Sequence, residues 1–357
     1  MVNPVFSLES LALIKTATQI YSDPDIKISQ CRKRCSIGFP RMDDWENIIK
    51  KKISSLNVPL ILEKKIYALM KPLSYEIGQW KEQHFPILYY GIKEKSIVWK
   101  DNGTIDRIKT AKIFIECESN NIDLRFKMAC VYWLEEEAKQ LWEKIEEISR
   151  KRLSGFRVFR KSYRWEYAVK DWITFLKGGA GNWRNQPFSR PLFWYCLDSV
   201  VVQGNLLQLL SPQEQWNVLK MIMMRTDFPR QTKIFCLLKM SAEHLECVIK
   251  EEPLQTFLAL CNWPLHRQFQ KMSDCIFSLL NEREFFQFLF QVIFYKIKRD
   301  WMDWDYVEML NELWNRSPEH FKQHVESSQL VDIQKMALNH DYKKPLGCYI
   351  RKMLPYV

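Results

Sequence analysis

Glycine is scarce in this chain, ten in 357 residues. Few turns can therefore demand a positive φ, and helix is favoured over glycine-rich loops or tight hairpins. Long apolar runs are missing too. The longest stretch, "FFQFLFQVIFY" from Phe285 to Tyr295, has eleven residues with two Gln inside it, well short of the roughly 20 that a membrane-spanning helix needs. The first residues, "MVNPVFSLES", lack a basic region and carry Glu9 inside the apolar run, so no secretory signal is expected. Ten Cys are scattered without a repeated spacing, the usage of reduced thiols in a cytoplasmic or nuclear protein. Histidine is limited to six residues, which leaves few candidates for general acid–base work. No G-x-S-x-G occurs, and no Lys-Ser/Thr follows Gly178, Gly179 and Gly181 in "KGGAGNW"; a nucleophile elbow and a phosphate-cradling P-loop are both excluded. These gaps point to a protein with no membrane association, no cofactor and no enzymatic activity.

What is present is apolar material in helical register. Hydrophobic residues make up 47% and aromatics 14%, enough to exclude a disordered chain. The clearest signal is "LEEEAKQLWEKIEEISRKRL". Leu134, Ala138, Leu141, Trp142, Ile145 and Ile148 form one stripe of a single predicted helix, with Glu135 to Glu137 in its first turn and Arg150 to Arg152 in its last, as the helix dipole favours. Gly155 follows as a C-cap candidate. Further helices are predicted over 7–20, 43–55, 60–83 with a break near Pro72, and from Thr104 to residue 116. Cap signals at Ser211, Ser241, Asn281 and Ser317 announce four more, spaced by the length of a helical hairpin. The expected fold is all-α, an irregular α-solenoid-like array of about sixteen to eighteen helices stacked as antiparallel pairs. A Gly/Pro-containing connector at 177–191 would separate an N-terminal helical half, 1–176, from a C-terminal repeat-like half, 192–357. The run 86–100 alternates like a short hairpin.

Six segments, "SLESLA" (Ser7 to Ala12), "YSDPDI" (Tyr21 to Ile26), "WKDNGTIDRIKTAK" (Trp99 to Lys112), "MAC" (Met128 to Cys130), "WPL" (Trp263 to Leu265) and "LWNRSPEH" (Leu313 to His320), occur in that order. Together they resemble a helix-rich family of uncharacterised arthropod proteins, over nearly the whole chain. The resemblance implies the helical architecture and brings no activity, cofactor or site with it.

Charge supplies the functional signal. Net charge is +11, and residues 27–52 and 150–170 carry +5 and +7, so the rest of the chain is close to neutral and the basic character is local. In the second window, one helix over 156–176 would align Arg157, Arg160, Lys161 and Arg164 beside Phe156, Phe159, Tyr163 and Tyr167, with Trp165, Val169, Trp172 and Leu176 facing the core. Charge for phosphates beside rings for bases suits RNA or single-stranded DNA. Alternatively the run splits into two helix ends around Gly155, with Arg150 and Lys151 paired to Glu146 and Glu147 and Ser162 capping the second helix. The basic surface then meets a protein partner, an acidic one. Four other clusters read more plainly. "CRKRCSIGFPR" (Cys31 to Arg41) has no second ligand pair for zinc and reads as an interhelical loop or a nuclear signal. His320 and His324 have metal-clamping spacing without the Glu of a zincin. Asp300, Asp303, Asp305 and Glu308 contain a helix cap, Asp303 or Asp305 with Glu308. "WPLH" at Trp263 lacks the Ala of an ankyrin unit.

Overall fold

A computed structural model of the chain describes residues 6–26, 42–85, 87, 97–154, 164–178, 196 and 198–327. Among the described residues there are seventeen α-helices, several short 3-10 segments, one π turn, and a single antiparallel bridge between Trp99 and Ile105. The all-α expectation holds at that level. Among the same residues no helix is long and apolar enough to cross a membrane.

Local chemistry starts several of these helices where the caps stand. Ser211 and Asn281 each form a full capping box with the Glu three residues on, opening Pro212–Met224 and Glu282–Val292. Ser241 accepts from the His244 N–H to open Ala242–Glu251, and Asp305 accepts from the Glu308 N–H to open Tyr306–Arg316. Each such bond satisfies one of the donors that every helix start leaves over.

Four expectations need correction. The stretch from Leu134 to Leu153 is two helices, Glu135–Lys144 and Glu147–Ser154, because Arg150 reaches back and donates to the carbonyls of Trp142 (2.7 Å) and Glu143 (3.2 Å). That closes the first helix at Ile145 and turns Ile148 out to 78% exposure, while Leu153 takes the buried place. Pro72 does not break its helix, which runs unbroken as Leu60–His84. Thr104 belongs to a tight turn around Asn102 and Gly103 (φ 75°), and the helix Arg107–Glu116 starts after Asp106. Ser317 closes Tyr306–Arg316, its hydroxyl donating to Trp314 O at 2.7 Å, and Pro318 is the cap of Glu319–Glu326.

The described residues fall into two compact units, one drawn from Ser22–Arg32 and Leu73–Met240, the other from Val2–Tyr21, Lys33–Pro72 and Ser241–Val357. The division passes through the Leu60–His84 helix at Pro72, the residue that cannot donate to the helical ladder. The connector read at 177–191 lies, apart from Lys177 and Gly178, outside the described residues.

In the first unit, Ile122–Val131 packs on both Arg107–Glu116 and Glu135–Lys144, and Arg164–Leu176 packs on it in turn. Its end is a Schellman motif: Leu134 N–H reaches Ala129 O (2.9 Å), Trp133 N–H reaches Cys130 O (3.1 Å), and Trp133 takes φ 55°. A left-handed tryptophan is unfavourable by about 1–2 kcal/mol. The burial of its ring, 4% exposed and 5.8 Å from the fully buried Trp172, offsets that. Gly204 lies against the same corner. A Cβ there would stand 2.8 Å from Tyr132 O, and the next N–H, Asn205, bonds that carbonyl at 2.9 Å. In the second unit, Phe257, Phe269 and Phe288 form a column with centroid spacings of 5.9 and 5.8 Å, and Phe285 packs on Phe321 at 5.1 Å. Burying each such ring contributes about 2–3 kcal/mol.

Candidate functional site

Two buried clusters of ionisable side chains stand out, one in each unit. The first grows from the end of the Glu282–Val292 helix. Lys296 stands eleven residues after Phe285, an offset that returns to the same apolar stripe, and it is 3% exposed. The helix passes through a π turn, Ile293–Ile297, and ends in a second Schellman motif, with Asp300 at φ 52° and Trp301 N–H on Lys296 O at 3.1 Å. The ammonium of Lys71 donates to the carbonyls of Arg299 and Asp300 at this end, where a cation also meets the favourable end of the helix dipole.

The turn that follows delivers Asp303 and Tyr306 to His266. Tyr306 Oη lies 3.2 Å from His266 Nε2, 3.2 and 3.3 Å from the Asp303 oxygens and 3.3 Å from Cys261 O. His266 Nε2 is 3.3 Å from Asp303 Oδ2, its ring packs on Trp304 at 4.8 Å, and Lys296 Nζ sits 3.6 Å above the Trp301 ring. Burial, reinforced by the Lys296 cation, holds the His266 imidazole well below its usual range. Burial raises the Asp303 carboxyl, and Lys296 opposes that rise. With the imidazole held neutral, its 3.3 Å contact with Asp303 Oδ2 is not an ion pair. The Tyr306 hydroxyl is the common hydrogen-bonding partner of His266 and Asp303. With the Asp303 side chain fully buried, the cluster's evident work is to fasten three segments that are distant in sequence.

In the other unit His84 donates through Nδ1 to Trp80 O (2.6 Å), since a carbonyl can only accept, and so Nε2 accepts from Tyr132 Oη (2.8 Å). Burial lowers the imidazole to about 3 and raises the Tyr132 phenol to about 12. Beside it, the buried Arg107 pairs with Glu76 at 3.7 Å and donates to Gln83 Oε1 at 2.8 Å.

No known protein family, curated protein or solved structure matches this chain.

Of the basic–aromatic segment, Arg157, Phe159, Arg160, Lys161 and Tyr163 lie outside the described residues, and Arg164 is the first residue of the helix Arg164–Leu176. Beyond it three of the four expected core residues, Trp165, Val169 and Trp172, are buried, while Leu176 at the helix's last position is only half-buried. On the near side, Arg150 stacks over Trp142 at 5.2 Å while capping its helix, and Lys151 lies 3.9 Å from Glu147. Arg150 thus serves the end of the preceding helix, and Lys151 pairs along its own. His320 and His324 face different neighbours on the Glu282–Val292 helix, Glu282 at 3.6 Å and the Phe286 ring at 6.1 Å. No group of three or more metal-binding side chains is brought together among the described residues. Asp305 is the cap of its helix, and Asp303 belongs to the buried cluster. The Cys31 to Arg41 cluster lies outside the described residues. Seven described cysteines carry free thiols, four of them buried. Burial raises Cys196 to about 12 and lifts Cys130 and Cys236 as well, which keeps them as thiols and not as nucleophilic thiolates.

His84 and His266 are the residues that sequence reading missed. For His84 a signal existed: Leu73, Ile77, Trp80 and His84 stand at offsets of a single helical stripe, so the ring was bound to be buried. His266 and Tyr306, forty residues apart, share no local signal.

Proposed function

We propose that this chain is a non-enzymatic helical interaction protein, an irregular solenoid-like stack of helix pairs that binds an acidic protein partner through its basic central segment. The observation that carries the reading is the localisation of charge. Residues 150–170 hold +7, and of these Arg150 and Lys151 are engaged with Trp142 O and Glu147. The run Arg157, Arg160, Lys161 and Arg164 remains as a concentrated cationic stretch, with Phe159 and Tyr163 between its charges. Such a stretch raises the local concentration of anionic partners and speeds their capture. Buried neutral imidazoles and buried thiols support the non-enzymatic side of the reading, because these groups are tied into the core.

The test is fluorescence anisotropy of the full chain against a labelled 20-residue polyglutamate, an oligo-dT and an oligo-U of the same length, across a salt series. Saturable binding of polyglutamate that disappears in the R157Q/R160Q/K161Q/R164Q variant, with its circular dichroism unchanged, is the expected result. Tighter binding of the oligonucleotides, with a log–log salt slope of about −3 for four phosphate contacts on a single strand, would assign the segment to nucleic acid instead. Loss of all three interactions at low salt would end both readings.

A further inference from the structure

In the unit built around Leu73–Met240, the C-terminal half of the Leu60–His84 helix and the start of the Arg230–Lys239 helix enclose a shallow cleft of about 440 Å³, within the size range of small-molecule sites. Tyr75, Gln83, Phe228 and Arg230 are among its walls. We propose that this cleft binds a small organic monocarboxylate, with Arg230 and Gln83 receiving the carboxylate and the rings of Tyr75 and Phe228 flanking the ligand's apolar body.

Gln83 is the decisive residue. Its Oε1 accepts from Arg107 Nη1 at 2.8 Å, and Arg107 is itself buried and held by Glu76 at 3.7 Å. That chain of contacts fixes the amide's orientation. The other end of the amide, Nε2, is buried with no hydrogen-bond partner. Proteins rarely leave a desolvated donor unanswered, and a ligand oxygen entering the cleft would answer it after a small movement of the side chain.

The charges around the cleft select the ligand. Asp227 is engaged by the guanidinium of Arg225, at 2.8 and 2.5 Å, and Glu82 accepts from Gln79 Nε2 at 3.0 Å. Arg230 has no ion pair among the described residues. Its planar fork matches a carboxylate's two oxygens. A single guanidinium suits one planar carboxylate, and the neighbouring Asp227 and Glu82 carboxylates, already engaged, repel the dianion fraction of phosphate more strongly than a monocarboxylate. Phe228 is 7% exposed and offers the cleft only a small apolar edge, so the half-buried Tyr75 supplies most of the apolar contact.

The probes are phenylacetate, its neutral counterpart phenylacetamide, and inorganic phosphate, titrated into the full chain at pH 7 and followed by ligand saturation-transfer NMR and calorimetry. Phenylacetate should bind saturably with a dissociation constant near 1 mM or tighter, and phenylacetamide and phosphate at least tenfold more weakly. Arg230→Gln should weaken phenylacetate by tenfold or more. Gln83→Glu, which keeps the acceptor facing Arg107 and replaces the Nε2 donor by an oxygen, should weaken it severalfold without lowering the melting temperature. That pairing separates a ligand role from a merely structural one. Absence of phenylacetate binding at about ten times that concentration, equal binding of the amide, or an Arg230→Gln variant that binds as tightly as the parent would each overturn the assignment.

Discussion

Lowering the pH from 7 to 5 should destabilise the unit that contains His84, by an amount set by this one side chain. Its imidazole titrates at about 3 in the folded chain, against about 6.5 when unfolded. The folded pKa is depressed, so the unfolded chain takes up the proton first. Stability is then lost as pH falls below about 6.5 and goes on being lost down to about 3. At 1.36 kcal/mol per unit, the drop to pH 5 removes about 2 kcal/mol, and the whole interval about 5 kcal/mol. His266 shifts in the same direction and Asp303 in the opposite one; both are common to the parent and to a His84 variant, and cancel between them. His84→Gln is the appropriate partner, because its amide can donate to Trp80 O and accept from Tyr132 Oη without titrating. Urea unfolding followed by tryptophan emission, to which Trp80 contributes from 4.3 Å away, gives the stability of each protein at each pH. The parent should lose about 2 kcal/mol more than the variant between pH 7 and pH 5. A difference below about 0.5 kcal/mol would mean that His84 is not held neutral by burial.

Two further perturbations test the packing and the caps. Gly204→Ala places a Cβ 2.8 to 3.0 Å from the backbone of Tyr132. The φ of −88° suits any residue, so the whole effect is steric, about 1–3 kcal/mol. A thermal melt within about 1 °C of the parent would show that the Tyr132 corner yields freely. Asn281→Ala removes the side-chain half of a capping box, the bond from the Glu284 N–H to Asn281 Oδ1, and should destabilise by about 1 kcal/mol, and Asn281→Gly by a few tenths; a chemical-denaturation series that ranks the two the other way would contradict the cap's role.

The elements legible from sequence are those whose cause is local. Ser211, Asn281 and Asp305 cap through a backbone N–H three residues away, and the burial of Trp165, Val169 and Trp172 follows from helical period alone. The break at Ile145 was illegible for the opposite reason: the stripe continues through it, and the agent is Arg150 reaching back eight residues to Trp142 O. Ser317 shows how one local pattern serves two geometries, since a serine before proline can close the helix behind it as readily as open the one ahead. The turn at Asn102 and Gly103 was written in the sequence as an Asn-Gly pair, the commonest tight-turn signal, and Thr104 drew the helix start two residues early. The buried cluster at His266 depends on a π turn and a left-handed Asp300, backbone choices that no periodicity encodes.

The division of the Leu60–His84 helix has a consequence for synthesis. A ribosome finishes residues 73–240 before the segment beginning at Ser241 has emerged. The other unit must wait, because Phe6 packs on Trp263 and the Lys71 ammonium needs the Arg299 and Asp300 carbonyls. From Lys71 to Asp300 is about 230 residues, roughly 10–50 s of translation at ordinary rates. Through that interval the earliest helices to be made lack their latest partners, and a chaperone that shields apolar nascent segments has its clearest client there.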